Sequence, residues 1–308
     1  MKRTVRHIPV LLDQVLAALR PRAGMTVVDC TLGLGGHASE LLRRIQPGGR
    51  LIGMDFDAGN IDRARGKLAE VDPAGASFTL HHSNFAGIDN VLAAEGIERV
   101  DAILADLGVA SPQIDDPARG FSYRKPGPLD MRMDQSRGQP ASVLIARMSE
   151  KEIAAALLEL GDETDAAKIA RLIIERRSEA PILTTQDLTA IVCAARDFTP
   201  QRAAGAKLHP AARTFQALRM LVNREIGNLE RLLAVAPNVL RPGGRIAIIS
   251  FHSGEDRRVK QSFRDGLRGG IYSEVAHDPA TATTDEQAGN PRSRSAKLRW
   301  AVRSGFTS

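Results

Sequence analysis

Cysteine is scarce in this sequence: two in 308 residues, Cys30 and Cys193, with no C-x-x-C spacing. That excludes a disulfide framework and a thiolate zinc site, and it fits a reducing cytoplasm. Aromatic residues are few, 4% of the chain with the single tryptophan Trp300, which argues against wide base-stacking platforms for generic single strands. No run approaches the roughly 18–20 apolar residues of a membrane span. The basic-then-apolar start MKRTVRHIPVLLDQVLAAL is interrupted by Asp13 and has no small-residue cleavage site, so no signal peptide is expected. His81-His82 is the only histidine pair and no H-E-x-x-H pattern occurs, so no catalytic metal is expected.

What is present suits a globular chain of one large domain or two, with 43% apolar and 25% charged residues. The net charge of +6 is unevenly spread. Residues 1–113 hold 12 Lys/Arg and 13 Asp/Glu, 114–210 hold 14 of each, and 211–308 hold 16 and 9. Two clusters carry much of the excess: Arg257, Arg258, Lys260, Arg264 and Arg268, then Arg292, Arg294, Lys297, Arg299 and Arg303. Such a footprint suits a polyanion. It equally suits a solvated helix face and a basic tail.

The first third alternates strand and helix patterns. Thr26–Cys30, Arg50–Met54, Ser77–His81 and Ala102–Leu107 are apolar runs of the kind covered on both faces, and Ala38–Ile45 and Ala58–Glu70 are helical. This order predicts an open, doubly wound parallel α/β sheet with right-handed crossovers. Gln46-Pro47-Gly48-Gly49-Arg50 and Arg241-Pro242-Gly243-Gly244-Arg245 each precede a strand, so the sheet is expected to resume near residue 245. Between lie a loop-like stretch, 114–148, and three amphipathic helices, Ser149–Leu160, Asp165–Ser178 and Thr184–Arg196, the third capped by Thr184 or Thr185. The expected organisation is one discontinuous domain, 1–113 with 211–308, and an inserted helical domain, 114–210. A long helix, Ala212–Val235, leads back to the sheet, and the polar segment His277–Asn290 is expected to be mobile.

The first strand runs into Leu32-Gly33-Leu34-Gly35-Gly36-His37, a glycine-rich turn through which the backbone can approach a ligand. Alone, that turn suits a dinucleotide, a nucleoside or nothing. Asp55, at the tip of the second strand, is placed to accept both ribose hydroxyls of an adenosine, with Asp57 as a rival. Phe85 is a candidate for packing on adenine or for ordinary core. The fourth strand ends in Asp106-Leu107-Gly108-Val109-Ala110-Ser111-Pro112-Gln113. Its carboxylate and Ser-Pro turn favour S-adenosylmethionine over a nicotinamide cofactor. Oxygens on a rigid turn can accept the N–H groups of an exocyclic amine and push electron density onto its nitrogen. Attack by a ring carbon of cytosine needs a cysteine nucleophile, and neither cysteine lies on such a turn. A nicotinamide oxidoreductase and a non-catalytic RNA-binding assembly factor remain the rival readings.

Read together, HIPVLLDQV (7–15), GLGGH (33–37), DLGVASPQID (106–115), RGFSY (119–123), GPLDMRMD (127–134), HPAARTFQALRM (209–220), ISFHSGEDRRVK (249–260) and NPRSRSAKLR (290–299) resemble the ribosomal RNA small-subunit methyltransferase H family. The resemblance spans nearly the whole chain. It implies S-adenosylmethionine-dependent methylation of a cytosine N4 amine in small-subunit (16S) ribosomal RNA, free or within a ribosomal particle, without membrane or metal. It places donor contacts on Gly35, Gly36, His37, Asp55, Phe85, Asp106 and Gln113, beside Gly33 of the same turn. Asp106, Ser111 and Pro112 are the expected catalytic residues, and Arg257, Arg258, Lys260, Arg294 and Lys297 the expected RNA contacts. His252, Ser253, Glu255 and Asp256 follow the fifth strand and could line the pocket or orient RNA, and the loop DMRMD (130–134) is either a pocket element or a hinge. Two departures stand out: Gly254 where the family has leucine, and Gly161-Asp162-Glu163-Thr164-Asp165 where it has a Gly-Glu-Glu-Arg stretch. Both concern substrate docking rather than the donor motifs.

Overall fold

The computed structural model describes residues 9–305 except Lys207. The described residues within 1–108 and 227–308 form one compact unit, and those within 109–226 another. The first unit is built on β1 (Thr26–Asp29), β2 (Arg50–Asp55), β3 (Phe78–His82), β4 (Val100–Asp106), β5 (Leu240–Ser250), β6 (Tyr272–Val275), β7 (Ala280–Thr281) and β8 (Lys297–Arg303). Their order is β3-β2-β1-β4-β5-β8-β6, with β7 beside β8. β1 to β5 pair in parallel, as the alternating strand and helix patterns predict, whereas β8 is antiparallel to β5, β6 and β7.

Helices α1 (Leu12–Leu19), α2 (Gly36–Ile45), α3 (Ala58–Ala69) and α4 (Ile88–Ala94) precede the second unit. Alternation along each strand divides the core between the two sheet faces. Val27, Leu51, Leu104 and Ala247 join Val15, Leu41 and Ile61 of α1–α3. Val28, Ile52, Ile103 and Ile246 join Ile88 and Leu92 of α4. In α2 the apolar residues Ala38, Leu41, Leu42 and Ile45 recur at helical spacing, and all are buried. Each such leucine contributes about 1.5–3 kcal/mol by leaving water, so this face fixes the helix and the turn that precedes it.

The second unit contains α5 (Ser111–Asp115), α6 (Ala141–Arg147), α7 (Glu150–Gly161), α8 (Ala166–Glu179), α9 (Thr185–Ala195), α10 (Pro200–Ala204) and α11 (Ala212–Asn223). Ser149 and Glu152 form a reciprocal capping box on α7, and Thr184 and Asp187 do the same on α9. Ile153, Leu157, Ile169, Ile173, Leu188 and Phe215 fill its core. The chain continues through α12 (Glu225–Val239), then α13 (Ser253–Arg268) and α14 (Thr284–Gly289) in the first unit.

Three expectations change. The long helix Ala212–Val235 is two helices, broken at Arg224, whose φ of 50° ends α11. Consequently α11 packs in the helical unit, where Gly161 lets it approach α7: a Cβ there would lie 2.6 Å from the Arg213 carbonyl oxygen. The joints between units fall at 108/109 and 226/227 rather than 113/114 and 210/211, because α5 and α11 belong to the helical side. The polar segment 277–290 is ordered as β7 and α14, with the Glu286 carboxylate accepting from Leu11 N at 2.7 Å.

Candidate active site

Three strands end in aspartates on one edge of the sheet: Asp29 of β1, Asp55 of β2 and Asp106 of β4. Strand order reverses between the neighbours β1 and β4. The carboxyl edge at such a switch point is where open α/β sheets take ligands.

Asp55 organises the first turn. Its Oδ2 accepts from Gly33 N at 2.7 Å, and its Oδ1 accepts from Asp57 N at 2.8 Å and from Asn60 Nδ2 at 3.2 Å. A carboxylate offers about four acceptor positions. Asp55 therefore has room for one further donor, rather than the two ribose hydroxyls expected, unless a protein bond yields. Burial raises its pKa, opposed by these N–H donors. Asp57 is occupied as the cap of α3, accepting from Gly59 N at 2.9 Å. Gly35 has φ +73° and lies against Ala64, where a Cβ would sit 3.2 Å from the alanine methyl. A Cβ on Gly36 would lie 2.8 Å from Pro9 Cγ. That contact joins two of the family-like stretches, one of which begins at His7 and Ile8, outside the described residues.

His37 is not a helix cap; Gly35 holds that position. His37 is buried in the first turn of α2, with Nε2 2.9 Å from the Val10 carbonyl oxygen and Nδ1 3.7 Å from Asp106 Oδ2. Asp106 N donates to Thr31 Oγ1 at 2.6 Å, which pins the end of β4 to the turn after β1. The Asp106 carboxyl is held well above its ordinary pKa by burial, then by the charges of Asp29 and Glu255. Its Oδ1 is buried without a hydrogen-bond partner among the described residues, and so is Asp29 Oδ2. Burial pushes Asp29 up to about 7, despite its bond from Thr31 N and with help from the Asp55 charge.

Asp29, Thr31 and Glu255 complete this edge. Sequence reasoning read Asp29 and Thr31 as strand and turn only. The available signal was a carboxylate closing an otherwise apolar strand. Glu255 is buried near the start of α13, accepts from Phe251 N at 2.9 Å and lies 3.1 Å from His252 Nε2. Phe85 sits half-buried in a short turn capped by Asn84 and packs on the core. Ser111, Pro112 and Gln113 form the first turn of α5 in the helical unit, where Gln113 Oε1 accepts from Ala110 N at 2.8 Å.

The MraW methylase family matches residues 4–304. The chain belongs to that family. It is 46% identical over 303 residues to ribosomal RNA small subunit methyltransferase H of Sorangium cellulosum, covering 98% of this chain and 92% of that protein. It is 45% identical to the protein of the same name from Symbiobacterium thermophilum, covering 96% of each. A solved rRNA methylase from Streptococcus thermophilus aligns over 95% of this chain and 93% of its own, with a TM-score of 0.43 and 10% identity, a likeness too slight to bear on function. This member of the MraW methylase family is an S-adenosylmethionine-dependent methyltransferase. The aspartate edge fits a cationic donor: two buried carboxylate oxygens there have no protein partner.

The remaining predicted residues separate into two groups. Arg257, Lys260 and Arg294 are exposed; Arg257 and Arg294 have no side-chain partner among the described residues, and the charge of Lys260 acts on Asp278. Arg258 is held by Glu230 at 3.0 Å, and Lys297 lies 3.4 Å from Asp256, which also binds the buried Arg299 at 2.6 Å. The loop 130–134 uses its polar groups internally: Asp130 binds Arg132, and Asn223 bonds Met131 O and Met133 N at 2.8 Å each. It is a structural element of the helical unit. In the stretch 161–165, Arg196 from the end of α9 reaches Asp165 at 3.0 Å and Glu163 at 3.9 Å. Cys30 is buried and its thiol is pushed well above the ordinary range by burial and Asp29, the reverse of what a nucleophile needs. No helix among the described residues is long and apolar enough to cross a membrane.

Proposed function

We propose that this enzyme methylates the exocyclic N4 amine of a cytosine in small-subunit (16S) ribosomal RNA, in the cytoplasm and within a ribosomal particle. The observation that carries the chemistry is the buried, unpartnered Oδ1 of Asp106 at the end of β4. The relatives' names supply the substrate.

Gly33, Gly35, Gly36, His37, Asp55, Phe85 and Asp106 would hold the donor. When bound, the donor supplies an electrophilic methyl group on a sulfonium cation. That positive charge would favour the ionised forms of Asp29, Asp55 and Asp106, against the burial that raises their pKa. The cytosine amine poses the harder problem, because its lone pair is delocalised into the ring. An oxygen of Asp106 accepting an amine N–H restores density to the nitrogen. His37 keeps the Asp106 carboxyl in place from the side of Val10. The helical unit is the substrate unit in this reading, and Arg257, Lys260 and Arg294 offer cations to RNA phosphates, with Arg258 and Lys297 in support.

The test is methyl transfer from labelled S-adenosylmethionine to small ribosomal subunits from a strain lacking this protein, followed by nucleoside analysis. N4-methylated cytidine is expected. Label on another nucleoside, or on none, would refute the assignment.

A further inference from the structure

The amino ends of β1, β4 and β5 frame a cavity of about 270 Å³ on the sheet edge opposite the aspartates. Asp101 and Asp106 mark the two edges along β4, about 16 Å apart at ~3.3 Å per residue. Arg20, Arg22, Asp101, Gly243, Gly244 and Arg245 supply most of the wall.

Three guanidinium groups line this space with one carboxylate, and that carboxylate is already engaged. Asp101 accepts from Arg241 at 2.9 Å and from Thr26 N at 2.7 Å. Glu274 is the other acidic group acting on Arg245. Arg20 and Arg22 are exposed, and their side chains have no hydrogen bond or ion pair among the described residues. Arg245 is fixed in place. It donates to the Ala18 carbonyl oxygen at 3.0 Å and lies over the Trp300 ring, 5.6 Å from its centroid. Burial and the like charges of Arg20 and Arg22 lower its pKa. An anion between these groups relieves that repulsion.

A bulge near the start of β5 makes the space. Register on β4 jumps from Val100–Leu240 to Ala102–Arg245, so Arg241-Pro242-Gly243-Gly244 bulges out of the ladder. The corresponding joint before β2 also reads Pro-Gly-Gly-Arg, yet its Arg50 is neutralised by Glu95. Only the joint before β5 leaves its arginine beside other unpaired cations.

We propose that this cavity binds a phosphate group, as a monoester or a diester. Planar guanidinium forks offer paired N–H donors that match phosphate oxygens. The space exceeds the ~30 Å³ of one water, so a phosphate enters with part of its hydration. All its residues belong to the sheet unit, and binding there does not depend on the methyl-transfer reading.

Trp300, the only tryptophan, reports on the site through Arg245. Inorganic phosphate and a short oligoribonucleotide are titrated into the full chain at constant ionic strength balanced with chloride, and Trp300 fluorescence is followed. A saturable change is expected with at least one probe, its half-saturation raised about tenfold or more in the double variant R20A/R22A. Those side chains are exposed, so folding is expected to survive; thermal melting checks it. A raised KM for ribosomal subunits in R20A/R22A, with kcat unchanged, identifies the ligand as an RNA diester. An unchanged KM with saturable phosphate binding identifies a free phosphate or mononucleotide. A linear response to both probes, or equal half-saturation in wild type and R20A/R22A, overturns the site.

Discussion

Along β1, β4 and β5 the carboxyl edge of the sheet gathers carboxylates, while the amino edge gathers guanidinium groups. At the first, burial raises the pKa of Asp106, helped by the charges of Asp29 and Glu255, and burial raises that of Asp29, helped by the charge of Asp55. At the second, burial and the charges of Arg20 and Arg22 lower that of Arg245. Helix dipoles favour this polarity. Asp57 caps the amino end of α3, and Arg20 follows the carboxyl end of α1, where a cation is favoured. Both edges hold more like charge than their partners neutralise. The difference shows where each keeps capacity for a ligand: a cationic donor and an amine at one edge, an anion at the other.

The sharpest way to break the contrast is to remove one group from each edge. Asp106→Ala should lower kcat by about 10²–10³, the effect of losing one preorganised electrostatic group, with the far-ultraviolet circular dichroism unchanged. R20A/R22A should leave kcat as it is. Full turnover in Asp106→Ala would sink the role given to that residue.

Asp29 tests what burying a carboxyl at this edge does. Its folded pKa near 7 lies above the ordinary unfolded value. The folded protein therefore keeps this proton while the unfolded chain loses it. The corresponding stability is fully present below about pH 4 and is lost as pH rises to about 7, by a few kcal/mol. Asp29→Asn should exceed wild type in donor-free stability at pH 7.5 and approach it near pH 4. Urea unfolding at both pH values measures the two gaps, and equal gaps would show that burial of this carboxyl is not the cause.

Asp55→Asn should weaken S-adenosylmethionine binding by about tenfold or more, because a charged acceptor bond contributes roughly 1.5–3 kcal/mol. Calorimetric titration reads this directly, and unaltered affinity would return Asp55 to a purely structural role in the first turn. The smallest effects belong to the basic residues of α13. Reversing Arg257 and Lys260 should raise the RNA KM several-fold and flatten its salt dependence. Arg258→Ala, which loses an exposed pair with Glu230, should cost at most about 1 kcal/mol of stability. If Arg258 had the larger effect on KM, the ion pair would have to open on RNA.

Much of this was legible in the chain. The apolar runs of β1, β2 and β4 and the glycine turn gave the sheet and the donor edge, since strands buried on both faces leave a strong local pattern. Asp55 was legible for the same reason, as a carboxylate at a strand tip. Asp29 was not, because a charge in an apolar run looks the same whether paired or stranded. β8 was not read as a strand, because Lys297, Arg299 and Arg303 alternate with the apolar residues that bury it, and Arg299 is itself buried against Asp256. Arg224 gave no warning of the break between α11 and α12, because a left-handed arginine has no signature in sequence.

By itself the sequence determined the class of fold and the family's chemistry, because hydrophobic period and strand-end motifs are local. Only the tertiary structure decided which charges are spent and which remain. Asp57, Arg258 and Lys297 have protein partners, whereas Asp106 Oδ1, Arg20 and Arg22 lack them among the described residues. The partners come from distant parts of the chain, and a charge's capacity for a ligand depends on what those neighbours have already taken.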